Sequence, residues 1–514
     1  MAPGGFAAQD IFSQVPISVL TDSYKASHFL SYPEAQKMVA YGEFRSGYSK
    51  DTADTRLICY GIRYLLENFI TRQWTLLDIE RADSFYRTHL APAQSLFPYP
   101  KELFLKFVKE NNGYFPVRIE ALPEGSCIHP HVPVYQITSE NEYAPLCTWL
   151  ETLLTMMWYP TTVATLSRRA KDVLEAGFEQ SVDGGRHSPL LGSRLHDFGF
   201  RGCTTVEQSV IGGVAHLLNF NGSDTMSAAY YAQFVLNNGR PVGSSIPATE
   251  HSVMTSWPSE KEAIENMIIH FGTGLFACVM DSYDYAEALA EVVPAIAQKK
   301  IEAGGFMVLR PDSGDPVETI LMALDAAEKV FGCDVNSKGY KVPRGCGVIQ
   351  GDGIDIQILS RILDAVIAKG FSAQAVAFGM GGGLLQKVNR DTLSFATKLS
   401  HIVYADGSHV DIMKSPKSDT GKLSLPGVMA VKRVNGVPTA FPAEGGYVSP
   451  EENMLRVVYD KGPVKVDWED FDALRKRVDT EWHALPKTAS VISPPLQQKM
   501  KDVLARRTAE HPHV

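Results

Sequence analysis

The chain has 514 residues, 45% of them hydrophobic and 21% charged, with a formal charge of -9. That length buries a large core and suggests two domains in a soluble globular protein. The negative balance offers no general attraction for nucleic acid or an anionic membrane, so any phosphate site must be a local basic cluster.

The opening "MAPGGFAAQDIFSQVP" lacks the basic region and the long apolar stretch of a secretory leader. No later apolar run approaches the roughly 20 residues of a membrane span. Residues 57–74, "LICYGIRYLLENFITRQW", read as helical, and "VPVYQITS" (132–139) reads as a strand. The segment "SVDGGRHSPLLGS" (181–193) has the composition of a surface loop. From about 195 to 395 a repeating pattern sets in. Short apolar strands end in acids, arginines or glycines, and helical segments follow at 205–218, 258–270, 284–303, 316–331 and 354–369. Such alternation predicts a parallel sheet. Polar groups stand at so many successive strand ends that a βα barrel fits better than an open sheet with one switch point. Residues 395–480 read mainly as strands and turns, and 484–514 contain one amphipathic stretch that fits either a docked helix or a disordered tail. The predicted organisation is a mixed, β-rich domain from 1–150 together with 395–490, a catalytic barrel over 151–394 and a tail over 491–514. The seven cysteines (Cys59, Cys127, Cys147, Cys203, Cys278, Cys333, Cys346) are scattered and form no CxxC pair. That pattern points to reduced thiols in the cytoplasm, not to disulfides or structural zinc.

The strand ends carry the chemistry. In "FMVLRPDSGDP" (306–316) a buried strand runs straight into Arg310, Asp312 and Asp315. A guanidinium there can clamp an oxyanion in two-pronged fashion. Asp312 can accept from sugar hydroxyls or orient a hydrated Mg²⁺. The plainer reading is a strand-end ion pair beside a helix cap. "QGDGID" (350–355) presents Asp352 between Gly351 and Gly353, for ribose hydroxyls or as a simple turn. "FGMGGGLLQKVNR" (378–390) exposes consecutive backbone N–H groups, a phosphate nest with Arg390 beyond it. It is neither a Walker A loop nor a GxGxxG fingerprint. "HDFGFRG" (196–202) offers Phe198 as a flat platform, or as core, beside Arg201. Asp224 in "NGSDT" has the position of a cap. His251 in "SIPATEHS" (245–252) becomes a base or a phosphoryl acceptor if a carboxylate such as Asp281 orients it. Together, arginines for phosphates, Asp312 and Asp352 for a sugar and Phe198 for a ring suggest a phosphoribosyl compound and an aromatic base.

The ordered set "TDSYKASH" (21–28), "HDFGFRG", "GSDT", "IPATEHS", "MDSYD", "RPDSGDP", "VIQGDGID" and "AFGMGGGLLQK" resembles the nicotinamide phosphoribosyltransferase family over roughly 15–480. The resemblance implies a type II phosphoribosyltransferase fold, an irregular α/β barrel with a second β-rich domain built from both chain ends. It implies transfer of phosphoribose from phosphoribosyl pyrophosphate to nicotinamide, with Mg²⁺. ATP hydrolysis is coupled through a phosphohistidine, in a homodimer with shared active sites. Carried over by motif, Phe198 and the partner's Tyr24 sandwich the pyridine, and Asp224 accepts from its carboxamide. Ser245 joins this substrate site. Arg310, Asp312, Gly351, Asp352, Gly381, Gly382 and Arg390 hold the ribose phosphate, and Arg201, His251 and Arg310 meet the pyrophosphate. Arg45, Lys398 and Lys417 are further ATP or phosphate contacts, and His251 is phosphorylated with Asp281 orienting it. Met380 in the glycine loop, the 181–193 insert and the tail depart from the family pattern.

Three other readings compete. A nicotinate phosphoribosyltransferase shares the fold, but the anionic Asp224 suits an amide and repels a carboxylate. A non-catalytic signalling dimer would tolerate loss of His251 or the arginines, and all are present. An aldolase-type barrel wants a strand-end lysine, and no candidate stands out.

Overall fold

The structure, a computed structural model, describes residues 14–89, 97–414 and 423–510, with side chains to residue 506. The chain divides into two units. One comprises Val163–Asn389 with Glu469–Lys476; the other holds the described residues up to Thr162, Arg390–Trp468 and those from Arg477 onward.

The central unit is the barrel. Its strands are β1 (Leu195–Asp197), β2 (Gly222–Ser223), β3 (Leu275–Val279), β4 (Phe306–Arg310), β5 (Cys346–Gln350) and β6 (Val376–Met380). All are parallel, in the spatial order β2-β1-β6-β5-β4-β3. The ring closes through an irregular stave. Gly222 bridges Ser244 and Ala248 bridges Ala277, both in parallel. Ser223 N–H donates to Ser244 O at 3.0 Å, and Ala277 N–H to Pro247 O at 2.9 Å. Pro247 has no N–H to give, so this stave never becomes a regular strand.

Helices α1 (Val206–Leu217), α2 (Glu260–Phe271), α3 (Val293–Ala303), α4 (Pro316–Phe331) and α5 (Ile356–Ala368) follow the staves. Their starts are encoded locally. Asp315 Oδ1 accepts from Val317 and Glu318 N–H at 3.0 Å, with Pro316 in the first turn. Asp355 caps α5 through Ile358 N–H. On α5, Leu359, Ile362, Leu363 and Val366 are buried, a stripe with helical period. The predicted 284–303 helix is interrupted by a π turn over Ala288–Val292, just before Pro294, whose missing N–H breaks the regular ladder.

The barrel interior is floored by Ala277, Val308 and Ile349, with Ile246, Ala377 and Phe198 packed against them. Side chains alternate along a strand, so the next inward positions lie two residues further on. These are Val279, Arg310, Gly351 and Gly379, at the carboxyl ends of the strands.

In the flanking unit a six-stranded antiparallel sheet interleaves both chain ends. Its order is His409–Asp411, Ala396–Tyr404, Ala35–Glu43, Pro133–Glu140, Val117–Ala121, Arg456–Asp460. Residues 57–74 begin as a strand, Leu57–Cys59, and turn into helix only after Gly61, whose φ of 116° suits glycine. The expectation of strands and turns over 395–480 misses a helix at Phe471–Ala484, near whose start Asp470 accepts from Ala473 N–H. The amphipathic stretch of the 491–514 tail is a helix, Pro494–Glu510, with Leu496 and Val503 buried. It docks Leu496 against Tyr41, Leu425, Met429 and Ala440. All seven cysteines are free. Among the described residues no helix is long and apolar enough to cross a membrane.

Candidate active site

At the carboxyl end of β1 the chain makes a tight turn. Asp197 Oδ1 accepts from Gly199 N–H at 2.7 Å, and Phe198 N–H donates to Met380 O at 3.1 Å. This directs the Phe198 ring over the backbones of β5 and β6. A Cβ on Gly379 would lie 2.0 Å from the ring, and one on Gly351 2.8 Å from it. Both positions therefore require glycine. The Arg310 guanidinium stands 5.5 Å from the ring centroid. Phe198 is at once the top of the core and a candidate platform.

Arg310 and Asp312 form an ion pair at 2.7 Å, while Asp315 caps α4, so the plainer reading of this strand end also holds. The pair does not use all of the guanidinium: Arg310 Nε is buried with no partner among the described residues. Asp281, its side chain 3% exposed, is fully engaged. Its Oδ1 lies 3.2 Å from His251 Nε2, and its Oδ2 accepts from Asp312 N–H at 3.0 Å and from Ser313 Oγ. His251 Nδ1 is 3.8 Å from Asp312 Oδ2. A proton on Nε2 held by Asp281 leaves the Nδ1 lone pair as the nucleophilic position.

Asp224 does not cap a helix. Its Oδ1 accepts from Ser245 Oγ at 2.6 Å and lies 3.7 Å from His196 Nδ1. Burial alone would raise its carboxyl. The contacts from His196 and Ser245, and the charges of His196 and Arg310, outweigh that and hold it below the usual carboxylate range. Asp197, one strand over, shows the opposite balance. Burial lifts it to about 6 despite the Gly199 hydrogen bond.

The glycine turns are organised by a residue the motif reading passed over. Gln350 Oε1 accepts from the N–H groups of Gly351 (2.8 Å) and Asp352 (3.1 Å), leaving the Asp352 side chain exposed. Its position directly before "GDG" was the available signal. Gly381 and Gly382 lead into a four-residue helical turn, Gly382–Leu385, and Arg201 is exposed on the turn Phe200–Gly202.

Phe198, Arg201, Asp224, Ser245, His251, Asp281, Arg310, Asp312, Gly351, Asp352, Gly381 and Gly382 all belong to the barrel unit. Tyr24, Arg45, Arg390 and Lys398 belong to the flanking unit. There Tyr24 is exposed, and Arg390 sits exposed on the turn Arg390–Thr392. Arg45 Nε donates to Ser394 O at 3.1 Å. Burial and the positive charges of Arg45 and Lys414 hold the Lys398 ammonium below its ordinary value. Arg45 and Lys414 thus act electrostatically on Lys398, as do the carboxylates of Glu151 and Glu43; Lys414 was not foreseen. Lys417 lies outside the described residues.

Comparison with known proteins decides the family. Residues 193–459 match the nicotinate phosphoribosyltransferase (NAPRTase) family, and residues 16–119 match the nicotinamide phosphoribosyltransferase N-terminal domain. A nicotinamide phosphoribosyltransferase of Xanthomonas campestris is 40% identical over 460 residues, covering 87% of this chain and 95% of that protein. The chain belongs to the nicotinamide phosphoribosyltransferase family. A second member, from Acinetobacter baylyi, is 29% identical over 89% of this chain and 96% of its own length. The fold is shared with human nicotinic acid phosphoribosyltransferase (TM-score 0.62, 18% identity, 94% of this chain and 100% of that one). It is shared too with a Pyrococcus furiosus nicotinate-nucleotide pyrophosphorylase (TM-score 0.59, 17% identity, 94% and 98%). The irregular barrel with a β-rich partner is thus the type II phosphoribosyltransferase fold, and the protein is a phosphoribosyltransferase of this family.

Proposed function

We propose that this phosphoribosyltransferase transfers the phosphoribosyl group of phosphoribosyl pyrophosphate to nicotinamide. The products are nicotinamide mononucleotide and pyrophosphate, in cytoplasmic NAD salvage. The observation that carries the choice of base is the Asp224 carboxylate, held below its usual range next to His196, whose ring centroid lies 6.2 Å from that of Phe198. An ionised acceptor there receives an amide N–H₂ and repels a nicotinate carboxylate. Arg310, at the carboxyl end of β4, is the cation this reading assigns to the phosphate anion.

In transfer, C1 of ribose gains positive character as pyrophosphate leaves. In this reading Arg310 and Arg201 hold the departing anion, and Asp312 and Asp352 accept from the ribose hydroxyls. The same two carboxylates suit a hydrated Mg²⁺, since Asp352 is exposed and Asp312 is partly so. When bound, that ion offsets pyrophosphate charge. For the coupled hydrolysis of ATP, Asp281 holds Nε2–H of His251, and Nδ1 attacks the γ-phosphorus. The bond to the β-γ bridging oxygen breaks, ADP departs with its electron pair, and water later cleaves the phosphohistidine.

A second copy of the chain completes the site in this reading. Met226, Tyr230 and Phe234 recur on one side of the helix after β2 and are exposed, with Val206 exposed at the start of α1. Such a face beside the barrel mouth fits an interface, and the exposed Tyr24 supplies the partner's ring. The deciding experiment incubates the pure protein with phosphoribosyl pyrophosphate and Mg²⁺, with either pyridine base, with and without ATP. Preferential formation of nicotinamide mononucleotide, stimulated by ATP, is expected. A preference for nicotinate overturns the reading.

A further inference from the structure

Two groups behind Asp224 have no part in the chemistry above. One is His196 on β1, its side chain 12% exposed. The other is the backbone carbonyl of Ser193, which ends the short turn Leu191–Ser193 that closes the 181–193 insert. His196 Nε2 donates to Ser193 O at 3.1 Å, and Nδ1 faces Asp224 Oδ1 at 3.7 Å. Both neighbours are acceptors. With Nε2–H committed to Ser193, Nδ1 attracts the Asp224 carboxylate only when it too carries a proton.

The ring has little freedom. A Cβ on Gly222 would come 2.7 Å from the imidazole Cδ2, so glycine at that position is what admits the ring. The insert is fastened at the same place, because Asn221 N–H donates to Gly192 O at 2.9 Å. A loop that lies almost wholly outside the two matched family stretches is therefore linked through one imidazole to the residue assigned to read the base.

We propose that His196, held by the Ser193 carbonyl, is a positioning residue that keeps the Asp224 carboxylate aimed, so that the insert helps to set which pyridine base is used. This rests on Asp224 being the reader of the base. Ser245 and His196 converge on Oδ1, which leaves Oδ2 for the substrate amide. The other charges around Asp224 oppose one another. Arg310 on β4 favours its ionised form, and the carboxyl of Asp197 on β1 disfavours it. Without His196, Ser245 is the side chain left to fix the direction of the Asp224 carboxylate.

The test is kcat/KM for nicotinamide and nicotinate between about pH 5.5 and 9, for wild type, His196→Gln, Asp224→Asn and the double variant. Gln donates to Ser193 but carries no charge toward Asp224. His196→Gln should raise KM for nicotinamide about tenfold with kcat little changed. It should also add nothing to Asp224→Asn. If Asp224→Asn leaves base preference intact, the reading of Asp224 itself falls. If Asp224→Asn shifts preference, but His196→Gln keeps KM or multiplies independently with it, the role of His196 is overturned. Gly222→Ala, which displaces the ring but retains it, is the second variant should His196→Gln not fold. An unchanged KM for nicotinamide there overturns the proposal, and an increase supports it.

Discussion

Asp281 binds His251 Nε2 with one carboxylate oxygen, at 3.2 Å, and the backbone N–H of Asp312 with the other, at 3.0 Å. One buried side chain thus aligns the imidazole and fixes the turn that carries the Arg310–Asp312 pair. His251→Ala should abolish ATP hydrolysis and acid-labile phosphorylation while leaving slow base-level transfer. Asp281→Asn keeps the shape and removes the charge, and should slow His251 phosphorylation by about 10²-fold. Phosphate trapping with labelled ATP, followed by peptide mapping, reads both. Histidine phosphorylation persisting in His251→Ala would place the acceptor elsewhere.

The close approach of Phe198 to Gly379 makes a steric prediction. Gly379→Ala sets a Cβ 2.0 Å from the ring, which must rotate away. Overpacking of this kind costs about 1–3 kcal/mol. KM for the pyridine base should rise, and the midpoint of thermal unfolding should fall. Normal KM in a stable variant would remove Phe198 as the platform.

Asp224→Asn retains the shape and removes the charge. A charge-assisted hydrogen bond contributes about 1.5–3 kcal/mol, so nicotinamide kcat/KM should fall roughly 10- to 100-fold. Nicotinate use should rise, because an Asn amide donates to its carboxylate. An unchanged ratio of the two bases would show that Asp224 does not read the amide.

Buried Asp197, lifted to about 6 by desolvation, gives stability a sign with pH. The folded state holds this proton more tightly than the unfolded one. The associated stability is therefore full below the ordinary Asp value near 4 and is lost as pH rises through about 6. The span is on the order of 3 kcal/mol. Asp197→Asn should lose less stability than wild type between those limits while still accepting from Gly199 N–H. Denaturant titrations at pH 4.5 and 7.5 measure this; parallel behaviour of the two proteins would refute it.

If Tyr24 acts in the site of a second copy, mixing Tyr24→Ala with Arg310→Ala subunits should restore about a quarter to a half of wild-type activity, since one site in each heterodimer is intact. Light scattering establishes that heterodimers form. Heterodimers without activity would rule out shared sites.

The order of elements was legible in the sequence because it is written in local chemistry. Short apolar strands of two to five residues, Asp and Thr caps and Pro at helix starts specify a βα repeat whatever surrounds them. Arg310, Asp352 and the glycine run drew notice because a guanidinium or four glycines beside a buried strand make no sense as core. The helix Phe471–Ala484 escaped because its neighbourhood is dominated by turn residues, and the π turn before Pro294 because periodicity does not register one slipped hydrogen bond.

The sequence by itself determined the alternation, the caps and the kinds of group at each strand end; only the tertiary structure decided which of them meet. Ring closure depends on Ser244 and Ala248, which have no strand pattern and are held by partners on two distant strands. Gly351 and Gly379 look like turn or strand glycines until Phe198 lies over both. His251 and Asp281 are 30 residues apart, and His196 and Asp224 are 28 apart. Such pairs form because neighbouring strands of a parallel barrel end at the same mouth, a relation set by long-range strand pairing that no local sequence signal encodes.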